Sequence, residues 1–266
     1  MLDSFDREID YLRISVTDRC NLRCVYCMPQ DGVTLISHQD VLSFEEITHI
    51  AQVAVTLGIK KIRLTGGEPL VRKGIVTLVS MIAQIPALED FAMTTNGVLL
   101  TEYADKLSAA GLGRVNISLD TLDPEKYRAI TRGGSIGQVL DGIDAALAAG
   151  LSPVKLNCVV ENSPQEPDAQ QVAQFALSKG LQIQFIQQMD IASGRFWPVH
   201  GGSGGRCNRC NRLRLSSDGF IRPCLFSDIA FQIRGQDAYE VLKKAVEAKP
   251  HSGVRSRHNT FYCVGG

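Results

Sequence analysis

Strand-like apolar runs recur along the first two thirds of the chain, at residues 12–18, 60–65, 91–95, 114–120, 154–160 and 182–189. Helical spacing fills the gaps between them. Ser43-Phe-Glu-Glu46 opens one helix as a capping box, and that helix runs to Leu57 before Gly58. Residues 76–85, 102–110, 136–149 and 169–179 carry the same spacing, several closed by glycine. Six strand–helix repeats predict a parallel sheet with right-handed crossovers, hence an α/β fold. Six units make an incomplete (βα)6 barrel rather than the eight of a closed one. In such folds reactive residues sit at the C-terminal ends of strands.

The pattern changes after Met189. Residues 190–200 lead into Gly201-Gly-Ser-Gly-Gly205, which reads as a flexible linker by composition. Beyond it, Leu213-Arg-Leu-Ser-Ser-Asp-Gly-Phe-Ile-Arg-Pro-Cys224 predicts two short strands around a Ser-Asp-Gly turn. A weakly amphipathic helix over 238–248 and a tail from Arg255 come next. The expected division is a partial barrel over 1–190, a Gly-rich linker over 191–206, and a small hairpin-containing extension over 207–266.

Composition narrows the function classes. A 266-residue chain that is 44% hydrophobic and 21% charged is globular. With 28 basic and 28 acidic residues it has no chain-wide positive field, so nucleic acid is not an expected partner. No apolar run spans a membrane and the N-terminus lacks a signal-peptide core, so the expected location is cytoplasmic. Eight cysteines there point to metal binding rather than disulfides. The five histidines, His38, His49, His200, His251 and His258, show no metal-ligand spacing.

Six of the cysteines form two clusters. Cys20, Cys24 and Cys27 follow the first strand in a C-x3-C-x2-C run. Three thiolates are one too few for a four-iron cluster, so one iron would keep an open position. Cys207, Cys210 and Cys224 form a C-x2-C pair with a third thiol across the hairpin, again three. The competing reading is zinc, more pressing at the second set because C-x2-C knuckles are common in zinc ribbons. Thr65-Gly-Gly-Glu-Pro69 and Thr94-Thr-Asn-Gly97 end the second and third strands, on the same side as the first set.

The first spacing resembles the signature of the radical S-adenosylmethionine (SAM) enzymes. Arg13 through Pro29, Cys207 through Phe226 and the terminal Gly265-Gly266 together resemble one branch of them, the GTP 3′,8-cyclases. That likeness implies two [4Fe-4S] clusters and SAM as cofactors, the second cluster being carried by the C-terminal extension. It implies a lyase that cyclises GTP to 3′,8-cyclo-7,8-dihydro-GTP in molybdenum cofactor biosynthesis, through a 5′-deoxyadenosyl radical that takes the ribose 3′ hydrogen. It also implies a reducing protein as electron donor, the next enzyme of the molybdopterin pathway as a partner, and room for a homodimer.

Residue by residue, Cys20, Cys24 and Cys27 match the ligands of the first cluster and Cys207, Cys210 and Cys224 those of the second. Tyr26, Gly67, Ser118 and Met189 match SAM contacts. Arg13, Arg63, Thr94, Lys155, Arg212 and Arg214 match GTP-binding positions, and Gly265 and Gly266 a tail that enters the barrel mouth once residues 261–264 have docked. The likeness breaks at one place: the family has a longer segment between the sixth strand and the second set, and Gln187-Gln188 stands where it usually carries an acidic residue. Two other readings remain, a two-cluster enzyme acting on another substrate such as a peptide, and a non-catalytic metal-binding protein.

Overall fold

The computed structural model describes residues 1–31 and 33–264. Six strands, β1 (Tyr11–Ser15), β2 (Lys61–Thr65), β3 (Asp90–Thr95), β4 (Arg114–Ser118), β5 (Lys155–Val160) and β6 (Gln182–Gln187), form a parallel sheet in sequence order. The helices α1 (Phe44–Thr56), α2 (Ile75–Ala83), α3 (Leu100–Ala109), α4 (Pro124–Thr131), α5 (Ile136–Ala148) and α6 (Pro167–Ser178) lie in the crossovers. The sheet curls into a partial barrel that does not close, with β6 at one edge.

Period-two alternation sorts the two faces of the sheet. Leu12, Ile14, Ile62, Leu64, Met93, Val115, Ile117 and Leu156 are at most 1% exposed and belong to the apolar core that the helices cover. The residues between them are largely polar and turn to the concave side. The predicted capping box is present: the Glu46 amide donates to Ser43 Oγ at 3.1 Å, and the Ser43 amide donates to Glu46 at 2.6 Å. Helix α4 has no signal of its own in the apolar spacing. Asp123, which with Glu125 and Lys126 has the look of a solvated helix end, is its N-cap, accepting from the Glu125 and Lys126 amides.

The hairpin is where the tertiary structure adds most. Its strands β7 (Arg212–Leu215) and β8 (Phe220–Arg222) pair antiparallel as expected, and β9 (Phe231–Gln232) extends them. Yet β7 also pairs in parallel with β1, so the second cysteine set is mounted on the barrel sheet itself. Helix α7 (Ala238–Glu247) packs against β8 and β9, and α8 (Phe261–Val264) ends the described chain.

The glycine-rich segment is not a free linker. His200 and Phe185 exchange backbone hydrogen bonds, as do Asp190 and Arg195, so the segment folds back along β6. Gly205 adopts a φ of +75°, and a Cβ there would collide with the Trp197 carbonyl. Composition alone reads such glycines as slack; here they are turns that bring the chain back to Cys207. Among the described residues no helix is long and apolar enough to cross a membrane.

Candidate functional site

The strand register builds the site. Arg214, Arg13 and Arg63 occupy directly adjacent positions on β7, β1 and β2. Ala92 and Arg114 continue that row on β3 and β4. The next inward row along the strands carries Thr94, Asn116, Lys155 and Gln182. Residues in register on parallel strands share a face, so these side chains turn to the concave side, Gln182 ending the row at the exposed edge.

A cavity of about 310 Å³ opens there, and all three cysteines of the second set line it. Among the described residues eight Lys and Arg side chains also line it, Arg13, Lys61, Arg63, Arg114, Lys155, Arg206, Arg212 and Arg214, against a single carboxylate, Asp90. Asp90 is taken up by Arg114, whose Nε and Nη2 donate to it at 2.8 and 2.6 Å. Burial, then the Arg214 guanidinium, holds Arg13 well below its ordinary pKa. Burial, then Arg212, pulls Arg214 down to about 10. Lys155 is lowered by burial, then by Arg114 and Arg63. Cations that depress one another behind a desolvated wall make a strong site for a polyanion.

Tyr11 organises part of this wall. The guanidiniums of Arg63 and Arg212 sit 5.5 and 5.6 Å from its ring centroid. Its hydroxyl, with Arg63 Nε and Arg212 Nε, is buried without a hydrogen-bond partner. Buried donors left open in this way ask for a ligand. Arg212 Nη2 donates to Ser203 of the glycine-rich segment at 2.8 Å, so that segment helps to orient it.

A second cavity of about 180 Å³ adjoins the first, and Asn157, Ile186 and Met189 line both. Cys20, Cys24 and Cys27 line this smaller space with Tyr26, Gly67 and Ser118. Thr94 lines it too, with its hydroxyl buried and unpartnered. Its row neighbours Asn116 and Lys155 line the larger cavity, so Thr94 stands at the boundary rather than among the cations. Phe261 of α8 closes part of the wall, and Val264 is buried with Ile191, Leu225 and Phe226. Gly265 and Gly266 lie outside the described residues.

The cysteine loop is held from two sides. The Gly67 amide donates to the Thr17 carbonyl and the Glu68 amide to the Arg19 carbonyl, both at 2.8 Å. A Cβ on Gly67 would collide with the Arg19 carbonyl, so the turn must be glycine for the chain's own sake. The Gly67 amide is thereby committed to the chain itself. On the other side, the Tyr26 hydroxyl donates to Asp120 Oδ2 at 2.7 Å, and the Val159 amide donates to Asp120 Oδ1 at 2.8 Å. Burial raises the Asp120 pKa to about 6.

The thiols have the environment of cluster ligands. Burial pushes Cys20 up to about 11 and Cys24 and Cys27 up to about 12, the neighbouring thiols adding to it at Cys24 and Cys27. Deprotonation there needs a metal centre. At Cys210 burial raises the pKa, but Lys249, with Arg212 and Arg214, more than offsets it, and the net shift is downward. A cubane distributes its three thiolates over three irons, and each cysteine set supplies three thiols that line one cavity. The donor set therefore fits an iron–sulfur cluster at each cysteine set.

Glu68 gives a pH signature. It accepts from the Leu70 and Asn96 amides and the Thr95 hydroxyl, yet burial outweighs these bonds and raises its pKa from 4.5 to about 7. The folded state therefore keeps a proton that the unfolded chain releases near pH 4.5, and stability falls as pH rises between those values. Asp120 acts in the same direction but only up to about pH 6. The expected result is that urea midpoints of cluster-free protein fall between about pH 6 and 7, and that Glu68→Gln flattens that stretch. An unchanged slope in the variant would place the titration elsewhere.

Sequence reading missed Tyr11, Lys61 and Arg114 in the larger cavity, although Lys61 and Tyr11 stand two residues before Arg63 and Arg13 and so share their faces. It gave Glu68 no role although the Thr65–Pro69 run contains it, and it missed Asp120 and Lys249, for which no local pattern exists.

The chain matches the family model described as the Radical SAM superfamily over residues 14–176. The GTP 3′,8-cyclase of Petrotoga mobilis is 42% identical over 95% of this chain and 94% of its own. That of Moorella thermoacetica is 45% identical over 94% of each. The first alignment runs over 304 positions, more than the 266 residues here, so that relative carries stretches without a counterpart in this chain. Among solved structures, native anSMEcpe with bound AdoMet superposes with a TM-score of 0.65 at 16% identity, covering 92% of this chain and 82% of that one. Methylornithine synthase (PylB) gives 0.53 at 16% identity, covering 69% and 54%. At such identities the structures speak for the fold alone, a partial radical SAM barrel.

Proposed function

The chain belongs to the radical SAM superfamily and, within it, to the GTP 3′,8-cyclase family, and from this we infer that it converts GTP to 3′,8-cyclo-7,8-dihydro-GTP in the first step of molybdenum cofactor biosynthesis. It is a lyase whose cofactors are SAM and two [4Fe-4S] clusters. The observation that carries the reading is the pairing of spaces: two cysteine sets face two cavities that share Asn157, Ile186 and Met189, and among the described residues the larger is lined by eight cations against one carboxylate.

In this reading Cys20, Cys24 and Cys27 hold the first cluster, and Cys207, Cys210 and Cys224 the second. When bound, the clusters and SAM supply the electron and the hydrogen-abstracting radical. The protein supplies placement and charge. Gly67, Ser118, the backbone at Tyr26 and the Met189 side chain hold SAM in the smaller cavity. Arg13, Arg63, Lys155, Arg212 and Arg214 neutralise the triphosphate, guanidiniums offering the forked geometry that phosphate accepts. Thr94 at the boundary offers its hydroxyl to whichever ligand reaches it. The shared wall sets the distance between SAM and nucleotide, and burial keeps water from the reacting carbon.

Residues 1–190 then serve as the SAM-binding barrel, 191–206 as one wall of the nucleotide cavity, and 207–266 as the auxiliary-cluster segment. A cytoplasmic setting, a reducing protein as electron donor, hand-over to the next pathway enzyme and homodimer formation complete the proposal. The deciding experiment is anaerobic reconstitution and then incubation with SAM, dithionite and GTP. Formation of the cyclised nucleotide with 5′-deoxyadenosine supports the reading. Uncoupled 5′-deoxyadenosine with untouched GTP favours another substrate such as a peptide, and stoichiometric zinc without iron ends it.

The docking of α8 gives the last two glycines a role in this reading. Phe261 lines the SAM cavity and Val264 is buried, so α8 carries the chain to the barrel mouth. Protein ending at Val264 should keep both clusters and cleave SAM while losing most cyclisation. The ratio to measure is product per 5′-deoxyadenosine formed; an unchanged ratio and rate would exclude a part for Gly265 and Gly266.

A further inference from the structure

Lys249 stands just past the end of α7, and its residue is 3% exposed. Its ammonium donates to the Arg212 carbonyl and to the Pro223 carbonyl, each at 2.6 Å. Burial lowers its pKa, and Cys210 and Cys224, as thiolates, are the opposite charges that favour this ammonium against it. Arg212 lies two residues after Cys210, and Pro223 immediately precedes Cys224. One side chain therefore ties together the two arms that carry two of the three thiols of the second set.

A buried ammonium is costly without an anion beside it. None of the ion pairs among the described residues involves Lys249. Arg7 makes the contrast. It grips the third arm, its Nη1 donating to the Cys207 carbonyl at 2.7 Å, but its charge is matched by Asp3 at 2.6 Å. Arg7 therefore adds a brace without net charge, whereas Lys249 adds a brace and an uncompensated positive charge. The groups whose negative charge would favour the Lys249 ammonium are Cys210 and Cys224, once they are thiolates.

We propose that Lys249 is the charge-compensating and positioning residue of the second cluster, holding the Cys210 and Cys224 arms in register and favouring the reduced state of the cluster by its charge. This rests on the two-cluster reading above. A thiolate-ligated cluster is anionic and becomes more so on reduction, so a fixed cation beside it raises the potential. Groups just outside the ligand set tune a metal centre in this way.

The test uses the full chain carrying Cys20→Ala, Cys24→Ala and Cys27→Ala, so that only the second cluster contributes. Iron per chain and the midpoint potential, tracked by electron paramagnetic resonance during a redox titration, are compared for Lys249, Lys249→Met, Lys249→Gln and Lys249→Arg. Gln keeps a donor and loses the charge; Arg keeps the charge. The expected result is a lower midpoint, or loss of iron, in the Met and Gln variants, with Arg moving back toward the parent. Met and Gln variants with the parent's iron and potential would overturn the proposal. So would an Arg variant as impaired as the other two with an equal drop in apo-protein melting temperature, because packing would then be the cause. If the Lys249 parent itself takes up no iron, the two-cluster reading fails first.

Discussion

Protein in which Cys20, Cys24 and Cys27 are all replaced by alanine is expected to retain about half of its iron and to lose SAM cleavage completely. Two cubanes correspond to roughly eight irons per chain, so about four should remain. The expectation comes from the separation of the sites. The first set hangs on the loop after β1, pinned by the Gly67 turn and by the Tyr26–Asp120 bond, and lines only the smaller cavity. The second set lines only the larger one. Removing the first thiols takes no ligand from the second. Cleavage should vanish because SAM contacts and first-set thiols share one space. Iron analysis and a 5′-deoxyadenosine assay with dithionite decide it. Residual cleavage, or loss of all the iron, would show that the two centres are not independent.

Arg214→Ala is expected to weaken GTP binding about tenfold to a hundredfold while SAM cleavage without nucleotide continues. A charge-assisted hydrogen bond of this kind is worth about 1.5–3 kcal/mol. Arg214 is 9% exposed and lies in the central arginine row, where little solvent screens it. Arg212→Ala should act in the same direction, more weakly, since Arg212 is partly spent on Ser203. Guanosine, which lacks the phosphates, separates a charge effect from a shape effect. Its binding should change little in either variant. Equal losses for GTP and guanosine would mean that the cavity had collapsed rather than lost a phosphate contact.

The fold was legible because each strand carries its own instructions. Alternation within 12–18, 60–65 and 114–120 fixes which side chains face the helices, whatever lies beside the strand. The first and fourth strands end early, at Ser15 and Ser118, because the residues beyond them turn away to build the site, while β2 ends at Thr65 as expected. The capping box at Ser43 was readable for the same reason, since both partners lie within one turn. The cysteine sets were legible through spacing, and the cationic positions only through family likeness. Nothing within β1 tells whether Arg13 faces a ligand or a carboxylate.

The sequence by itself determined the parallel strand–helix alternation, two sets of three thiols and the placement of the first set after β1, because these depend on periodicity and short-range spacing. The tertiary structure alone decided that β7 pairs with β1, and with it that Arg214 joins Arg13 and Arg63 in one row. It alone brought Lys249 to the Arg212 carbonyl across 37 residues of chain, and Asp120 to Tyr26 across 94. It also turned a stretch of glycines into a cavity wall. Such contacts have no local sequence signal. Each is fixed by where the sheet curls and which edge remains open, and that is settled by the packing of the whole core at once.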